Sequence, residues 1–255
     1  MSLYQQRLAQ PGKPELVLLH GWGMNAEVWQ PLLAPLSQHY SLTLFDLPGL
    51  GRSAAVAGEC SASALAASLL AAAPEQAHWL GWSLGGNIAA AAAVQAPERV
   101  LSLTTVASNP CFVQRADWSA AMSEATFTGF QQLLASQPAK TLSRFIMLQT
   151  QGGTAAREIL RQLKALLNIA EPAALADTLA LLAQDQRALL AQLRCPLLTL
   201  WGEQDSLVPQ AAVQATLALQ PQQQSRVYQG AGHLPFLSDQ DAFIADLHAF
   251  TEAAV

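Results

Sequence analysis

The sequence predicts an α/β fold: a mostly parallel sheet with helices on both faces and a helical lid inserted between two strands. Three observations carry that expectation. Short continuous apolar runs end in loops rich in Gly or Pro, helical patterns lie between those runs, and one long stretch shows no strand pattern at all.

Leu16-Val17-Leu18-Leu19, bounded by Pro14 and by Gly21 and Gly23, suits a strand buried on both faces. The same pattern recurs at residues 42–45, ending at Asp46 and Pro48-Gly49, at 78–82, and at 100–106, ending at Asn109-Pro110. Late in the chain it returns at 196–201, ending at Gly202, and at 226–228, ending at Gly230. Helical patterns fall at about 62–73, 84–96, 210–219 and 239–253, and the alanine-rich segments at 62–73 and 89–93 each fit one tightly packed helix. From about residue 111 to 193 apolar residues keep helical spacing, as in Phe145 and Leu148 and then Ile159, Leu163, Leu166 and Leu167. The expected organisation is therefore a core made of residues 1–110 and 194–255, with 111–193 as a lid. An insertion after a strand's C-terminal end lies on the ligand side of an open α/β sheet.

Composition narrows the function classes. The chain has 255 residues, 51% of them hydrophobic and 12% charged, which is ample for a large core. The longest uncharged run, between Glu75 and Glu98, carries Gln76, His78, Ser83, Asn87 and Gln95, so it reads as strand, turn and helix rather than a bilayer span. Residues 1–15 contain Gln5, Gln6, Arg7 and Lys13 without an apolar signal core, and a cytoplasmic protein is expected. A net charge of -5 gives no reason to expect nucleic-acid binding. Cys60, Cys111 and Cys195 are odd in number and widely spaced, which fits reduced thiols and offers no metal-ligand pair.

Chemistry concentrates at the predicted strand ends. In Gly81-Trp82-Ser83-Leu84-Gly85-Gly86 a serine sits between small residues where an apolar strand turns into a helix, the layout of a nucleophile elbow. A serine nucleophile needs a base, and the base needs an orienting acid. His233 follows Gly230-Ala231-Gly232 just after the last predicted strand and suits the base. His39, His78 and His248 flank strands, lie in strands or sit in the last helix, and read as structural or surface residues. Asp205, beyond the strand ending at Trp201, is the favoured acid, with Glu203 its main competitor and Asp46 a more distant one. The oxyanion of acyl transfer needs two N–H donors, worth about 3 kcal/mol each. Leu84, next to the nucleophile, supplies one, and Trp22 in His20-Gly21-Trp22-Gly23-Met24 supplies the other, with its indole lining the pocket and His20 bracing the loop. The turn Asp46-Leu47-Pro48-Gly49-Leu50-Gly51-Arg52-Ser53 reads as structural. With nucleophile, base and oxyanion donors complete, no metal or organic cofactor is expected.

Through His20-Gly21-Trp22-Gly23, the Asp46 to Ser53 turn, the Ser83 elbow and Gly232-His233, the chain resembles the α/β-hydrolase superfamily. It resembles more closely the carboxylesterase family of biotin synthesis, through residues 18–29, Trp79 to Gly86, Pro97-Glu98-Arg99-Val100 and Thr105 to Phe112. That resemblance runs from about residue 16 to the C-terminus and implies hydrolysis of the methyl ester of a pimeloyl chain attached to acyl carrier protein. It also implies that Trp22, Trp82 and Phe145 line the acyl channel. Across 138–164 there are five basic residues, Lys140, Arg144, Arg157, Arg161 and Lys164, against one acid, Glu158. Lys140 and Arg144 can share a helical face, as can Arg157 and Arg161, and such a patch suits an acidic carrier protein and its phosphopantetheine phosphate. Position 140 holds lysine where the family has arginine, which removes bidentate phosphate binding there. A monomer acting on carrier-bound or small esters is expected. A short-chain carboxylesterase, a lactonase or a carbon–carbon bond hydrolase would use the same catalytic set, and a ligand receptor could keep the same fold.

Overall fold

The computed structural model describes residues 2–56, 58, 60–166 and 171–254, so Leu167 lies outside the described residues. Its centre is a seven-stranded sheet of order β1-β3-β2-β4-β5-β6-β7. The strands are β1 (Gln5–Leu8), β2 (Glu15–Leu19), β3 (Ser41–Phe45), β4 (Ala77–Trp82), β5 (Val100–Val106), β6 (Leu197–Gly202) and β7 (Gln224–Tyr228). All neighbours pair in parallel except β1, which joins β3 antiparallel with Gln5 opposite Phe45 and Leu8 opposite Leu42. The predicted α/β architecture is thus observed.

The central strands are continuous apolar runs because both of their faces are covered. Period-2 alternation sends Val17 and Leu19 into one core layer and Leu16 and Leu18 into the other. The first layer is closed by α2 (Ala62–Leu70) and α3 (Leu84–Gln95), with much of the insertion. Ten residues of α3 are buried, and its alanine run allows the backbone to lie close to α2 and the sheet. The second layer is closed by α1 (Gln30–Leu36), α10 (Pro235–Ser238) and α11 (Gln240–Ala253). Two elements escape an apolar-pattern reading. In β1 exposed and half-buried residues alternate on a sheet edge, and α1 is short, with Pro at its first turn and Pro35 inside.

Between β5 and β6 run five helices: α4 (Glu124–Ser136), α5 (Pro138–Thr150), α6 (Ala156–Ala165), α7 (Pro172–Leu182) and α8 (Arg187–Gln192). The strand-free insertion is therefore helical as expected, but its last helix, α8, packs on α3 and on α9 (Ala211–Leu219) of the core. Within the insertion Arg187 holds the start of α8, bonding Asp117 at 2.9 Å and Asp185 at 2.6 Å beside the Trp118 ring. Among the described residues no helix is long and apolar enough to cross a membrane.

The sheet changes direction between β2 and β4, since the chain builds β3 on one side of β2 and then β4 on the other. A crevice at the C-terminal strand ends follows from that topology. The turn after β3 buttresses it: Asp46, its side chain fully buried, accepts from Ala26 N at 2.7 Å, from Arg52 N at 2.8 Å and from Arg52 Nε at 2.7 Å. Burial raises the Asp46 pKa, but the Arg52 guanidinium and these N–H donors outweigh it and hold the carboxyl below its ordinary value. Asp46→Ala is expected to lower the unfolding free energy by about 3 kcal/mol, because two backbone N–H groups and a guanidinium lose their acceptor. Urea denaturation at neutral pH reads this, and a loss below about 1 kcal/mol would contradict the buttressing role.

Candidate active site

Ser83 stands between β4 and α3 with φ 54° and ψ -119°, a conformation costing on the order of 1–3 kcal/mol for a residue with a Cβ. Neighbouring glycines make it possible. A Cβ on Gly81 would overlap the backbone of Gly85 and Gly86, and one on Gly85 would lie 2.5 Å from the Leu19 carbonyl oxygen. The strained residue is held at both ends by the β5 terminus: its N–H donates to Val106 O at 2.8 Å, and its carbonyl accepts from the Ser108 hydroxyl at 2.8 Å.

His233 and Asp205 arrive from the loops after β7 and β6. Their side chains are 0% and 2% exposed, and His233 Nδ1 lies 2.7 Å from Asp205 Oδ2. The other oxygen, Asp205 Oδ1, accepts from Leu207 N at 2.8 Å and Val208 N at 3.0 Å, so the carboxylate is fixed as an acceptor. Nδ1 of His233 is thereby the donor, and Nε2 keeps its lone pair. Among the described residues that buried Nε2 has no hydrogen-bond partner. Glu203, the alternative acid, instead accepts from Gly230 N at 3.0 Å and braces the His233 loop. Asp46 is committed to Arg52.

The loop after β2 brings Trp22 beside the elbow, where a Cβ on Gly21 would lie 3.2 Å from Ser83 Cβ. Among the described residues neither the Trp22 nor the Leu84 amide donates to a protein acceptor, which leaves two N–H groups available at the nucleophile. The Trp22 indole meets Phe145 edge to face at 5.0 Å and Phe130 at 5.7 Å, and its Nε1 donates to Leu175 O of α7 at 3.1 Å. Phe145 and Phe130 also line an apolar cavity of about 280 Å³ between α4, α5 and α7. Arg144 lies on that lining too. Ser83 and Trp22 are not among the lining residues, and the cavity adjoins Trp22 through Phe130 and Phe145.

Trp82, expected along the acyl channel, faces the loop after β2, where a Cβ on Gly21 would lie 3.1 Å from Trp82 Cε3. Strand alternation turns it into the second core layer with Leu80, where it packs on His233 and Phe236 and donates from Nε1 to His233 O at 2.9 Å. It supports the histidine loop from below. Sequence reasoning also passed over Gln149, which is 1% exposed at the end of α5, with both side-chain amide atoms unpartnered and its backbone carbonyl accepting from His233 N at 3.2 Å. A buried unpaired amide beside a base marks a place for a polar ligand group, a signal visible only in three dimensions. Lys140 and Arg144 on α5 and Arg157 on α6 are exposed and make no salt bridge among the described residues, whereas Arg161 pairs with Glu158 at 2.6 Å. The three cysteines are free, and no cluster of His, Cys, Asp or Glu among the described residues has the geometry of a metal site.

His20 holds the oxyanion loop as a neutral imidazole. Its Nε2 accepts from Leu47 N at 2.9 Å, so Nδ1 donates to Gly21 O at 2.8 Å. Burial, only partly offset by the Asp46 carboxylate and the Gly21 carbonyl, pushes its pKa down to about 4. The folded state therefore binds the proton more weakly than the unfolded chain. The stability that follows is complete above about pH 6.5 and is lost as pH falls toward 4, by about 3 kcal/mol in all. Denaturation across that interval should show the slope, and His20→Gln should flatten it; an unchanged slope in the variant would remove His20 as its source.

A family description of the alpha/beta hydrolase fold matches residues 14–240. A pimeloyl-[acyl-carrier protein] methyl ester esterase from Serratia marcescens is 43% identical, with 99% of each chain covered. The proteins of that name from Klebsiella pneumoniae subsp. pneumoniae and Aeromonas hydrophila subsp. hydrophila are 45% and 42% identical, over 93% and 98% of this chain and 93% and 99% of theirs. In fold alone, an esterase from Exiguobacterium antarcticum matches with a TM-score of 0.88 at 19% identity, covering 98% of this chain and 95% of its own. An enol-lactonase from Burkholderia xenovorans LB400 matches with a TM-score of 0.83 at 19% identity, covering 97% and 95%. With its elbow, its strand-end loops and these near full-length matches, the chain belongs to the α/β-hydrolase family, in the branch of the pimeloyl-[acyl-carrier protein] methyl ester esterases.

Proposed function

We propose that this protein is a cytoplasmic serine carboxylesterase, acting as a monomer, that converts pimeloyl-[acyl-carrier protein] methyl ester to pimeloyl-[acyl-carrier protein] and methanol in biotin synthesis. The substrate is supported by the 42–45% identity to esterases of that name over nearly the whole chain. The chemistry is supported by one observation above all: an Asp205-oriented His233 whose Nε2 has no partner among the described residues, on a sheet that also presents a strained, nearly buried Ser83 at a strand end.

In this reading Ser83 Oγ attacks the ester carbonyl while His233 Nε2 takes its proton, and the Asp205 carboxylate stabilises the imidazolium. The Trp22 and Leu84 N–H groups receive the oxyanion, and collapse of the adduct expels methanol, protonated by His233. Water then attacks the acyl-enzyme with His233 again as base, which returns Ser83 and releases the free carboxylate. No step calls for a metal or an organic cofactor. Residues 111–193 serve as the lid, Trp22 and Phe145 bound the acyl path, and Gln149 offers its unpaired amide to a polar group of the substrate. Trp82, packed on His233 and beside Gly21, bounds the acyl path with Trp22 and Phe145. Acyl carrier protein docks on Lys140, Arg144, Arg157 and Arg161, with Arg161 the weakest contributor because Glu158 already neutralises it.

Ser83→Ala is expected to abolish both turnover and labelling by a fluorophosphonate, and Asp205→Asn to lower kcat on the order of 10³–10⁴-fold. Turnover surviving in Ser83→Ala would refute the nucleophile. The substrate is tested by comparing the pimeloyl methyl ester on acyl carrier protein with the same ester free in solution. The carrier-bound form should win by a margin that shrinks with added salt, and Lys140→Ala with Arg157→Ala should raise its KM about ten-fold without affecting the free ester's kcat. Equal rates for the two forms would reject carrier docking.

A further inference from the structure

The turn joining α5 to α6, whose residues after Gln149 have no part in the chemistry above, is bonded to both loops that carry it. His233 N donates to Gln149 O at 3.2 Å, Thr154 N donates to Gly230 O at 2.9 Å, and Ser206 Oγ, next to Asp205, donates to Gln151 O at 3.3 Å. Backbone meets backbone here with almost no space between. A Cβ on Gly153 would lie 3.0 Å from Gly232 N, one on Gly152 2.8 Å from Gln204 O, and one on Gly232 3.4 Å from Gln149 O. Gly152 also requires φ +86°, a conformation that L side chains avoid. The bonding is reciprocal. The last carbonyls of a helix lack intrahelical partners, and at the end of α5 the Gln149 carbonyl is satisfied by the histidine loop.

We infer that residues 149–154 are a positioning element of the catalytic centre, a strap from the insertion that fixes the loops of His233 and Asp205 against each other. The two loops also bond each other directly, Gln204 N to Ala231 O at 2.8 Å and Gly230 N to Glu203 Oε2 at 3.0 Å, and the turn adds contacts from the insertion to both. The Asp205–His233 bond is made by side chains at the tips of two separate loops, and the turn contacts the backbone on both: Gly230, Gly232 and His233 on one, Gln204 and Ser206 on the other. The insertion is then part of the apparatus that aligns the base, in addition to covering the substrate. This rests on the reading of His233 as the base.

Gly153→Ala tests it in the full-length protein with a short p-nitrophenyl ester, which needs no carrier docking. The added methyl must displace Gly232 by a few tenths of an ångström, and misplacement on that scale is expected to lower kcat about ten-fold. KM should stay within about two-fold, the fluorophosphonate labelling rate of Ser83 should fall in parallel, and the thermal midpoint should move by only a few degrees. A folded Gly153→Ala enzyme with wild-type kcat would overturn the proposal. Where that variant does not fold, Thr154→Pro, which deletes the N–H donated to Gly230, carries the same expectation and the same refuting outcome. His233→Ala separates the two readings: if it retains turnover, the base assignment fails, and if it is inactive while the strap variants run at full rate, the strap alone fails.

Discussion

The close approach of β4, α3 and β2 around Ser83 is the constraint on which the rest of the molecule depends. At Gly81 and Gly85 the chain comes so near to itself that a methyl group does not fit, and this contact forces the serine into its strained backbone. The strain is sustained because β5 grips the residue through Val106 O and the Ser108 hydroxyl. A relaxed serine would carry its hydroxyl and the following N–H elsewhere. The aligned Leu84 N–H and the loop holding Trp22 therefore have a common origin in glycine packing at one strand end.

Around that point the insertion reaches every loop of the site. It is entered from the end of β5 through Ser108 and Asn109, which bind the elbow and, through Asn87, α3. Its α5 packs Phe145 on Trp22, and its α7 accepts from the Trp22 indole. Its turn at 149–154 bonds the histidine and aspartate loops. Exposed basic residues lie on α5 and α6, which leave from the two ends of that same turn. The basic residues proposed for docking and the proposed base are thus joined through one turn, and an apolar cavity lies between α4, α5 and α7.

Much of this architecture was legible in the sequence because buried parallel strands advertise themselves as apolar runs and their ends as Gly and Pro. The order Ser83, Asp205, His233 could be read for the same reason, since each residue follows such a run. Strand β1 could not, because an edge strand needs no apolar pattern, and α1 was hidden by its prolines. Asp205 and Glu203 were hard to separate at two residues' distance, and only the fold shows one bonded to His233 and the other to Gly230 N. The surroundings of Trp82 were not legible either, since a motif records neighbourhood along the chain and not the face to which a side chain turns. Gln149 and the glycines at 152 and 153 gave no signal, because their partners lie far off in the sequence, at 230–233 for Gln149 and Gly153 and at Gln204 for Gly152.

All of these arrangements bear on a single covalent event at Ser83. Rapid quenching of the first turnover of pimeloyl-[acyl-carrier protein] methyl ester, followed by proteolysis and mass spectrometry, observes it directly. The account predicts a transient acyl adduct confined to the peptide that contains Ser83, appearing with release of methanol and decaying as free carboxylate forms. An adduct on any other residue, or full methanol release with Ser83 never modified, would contradict it.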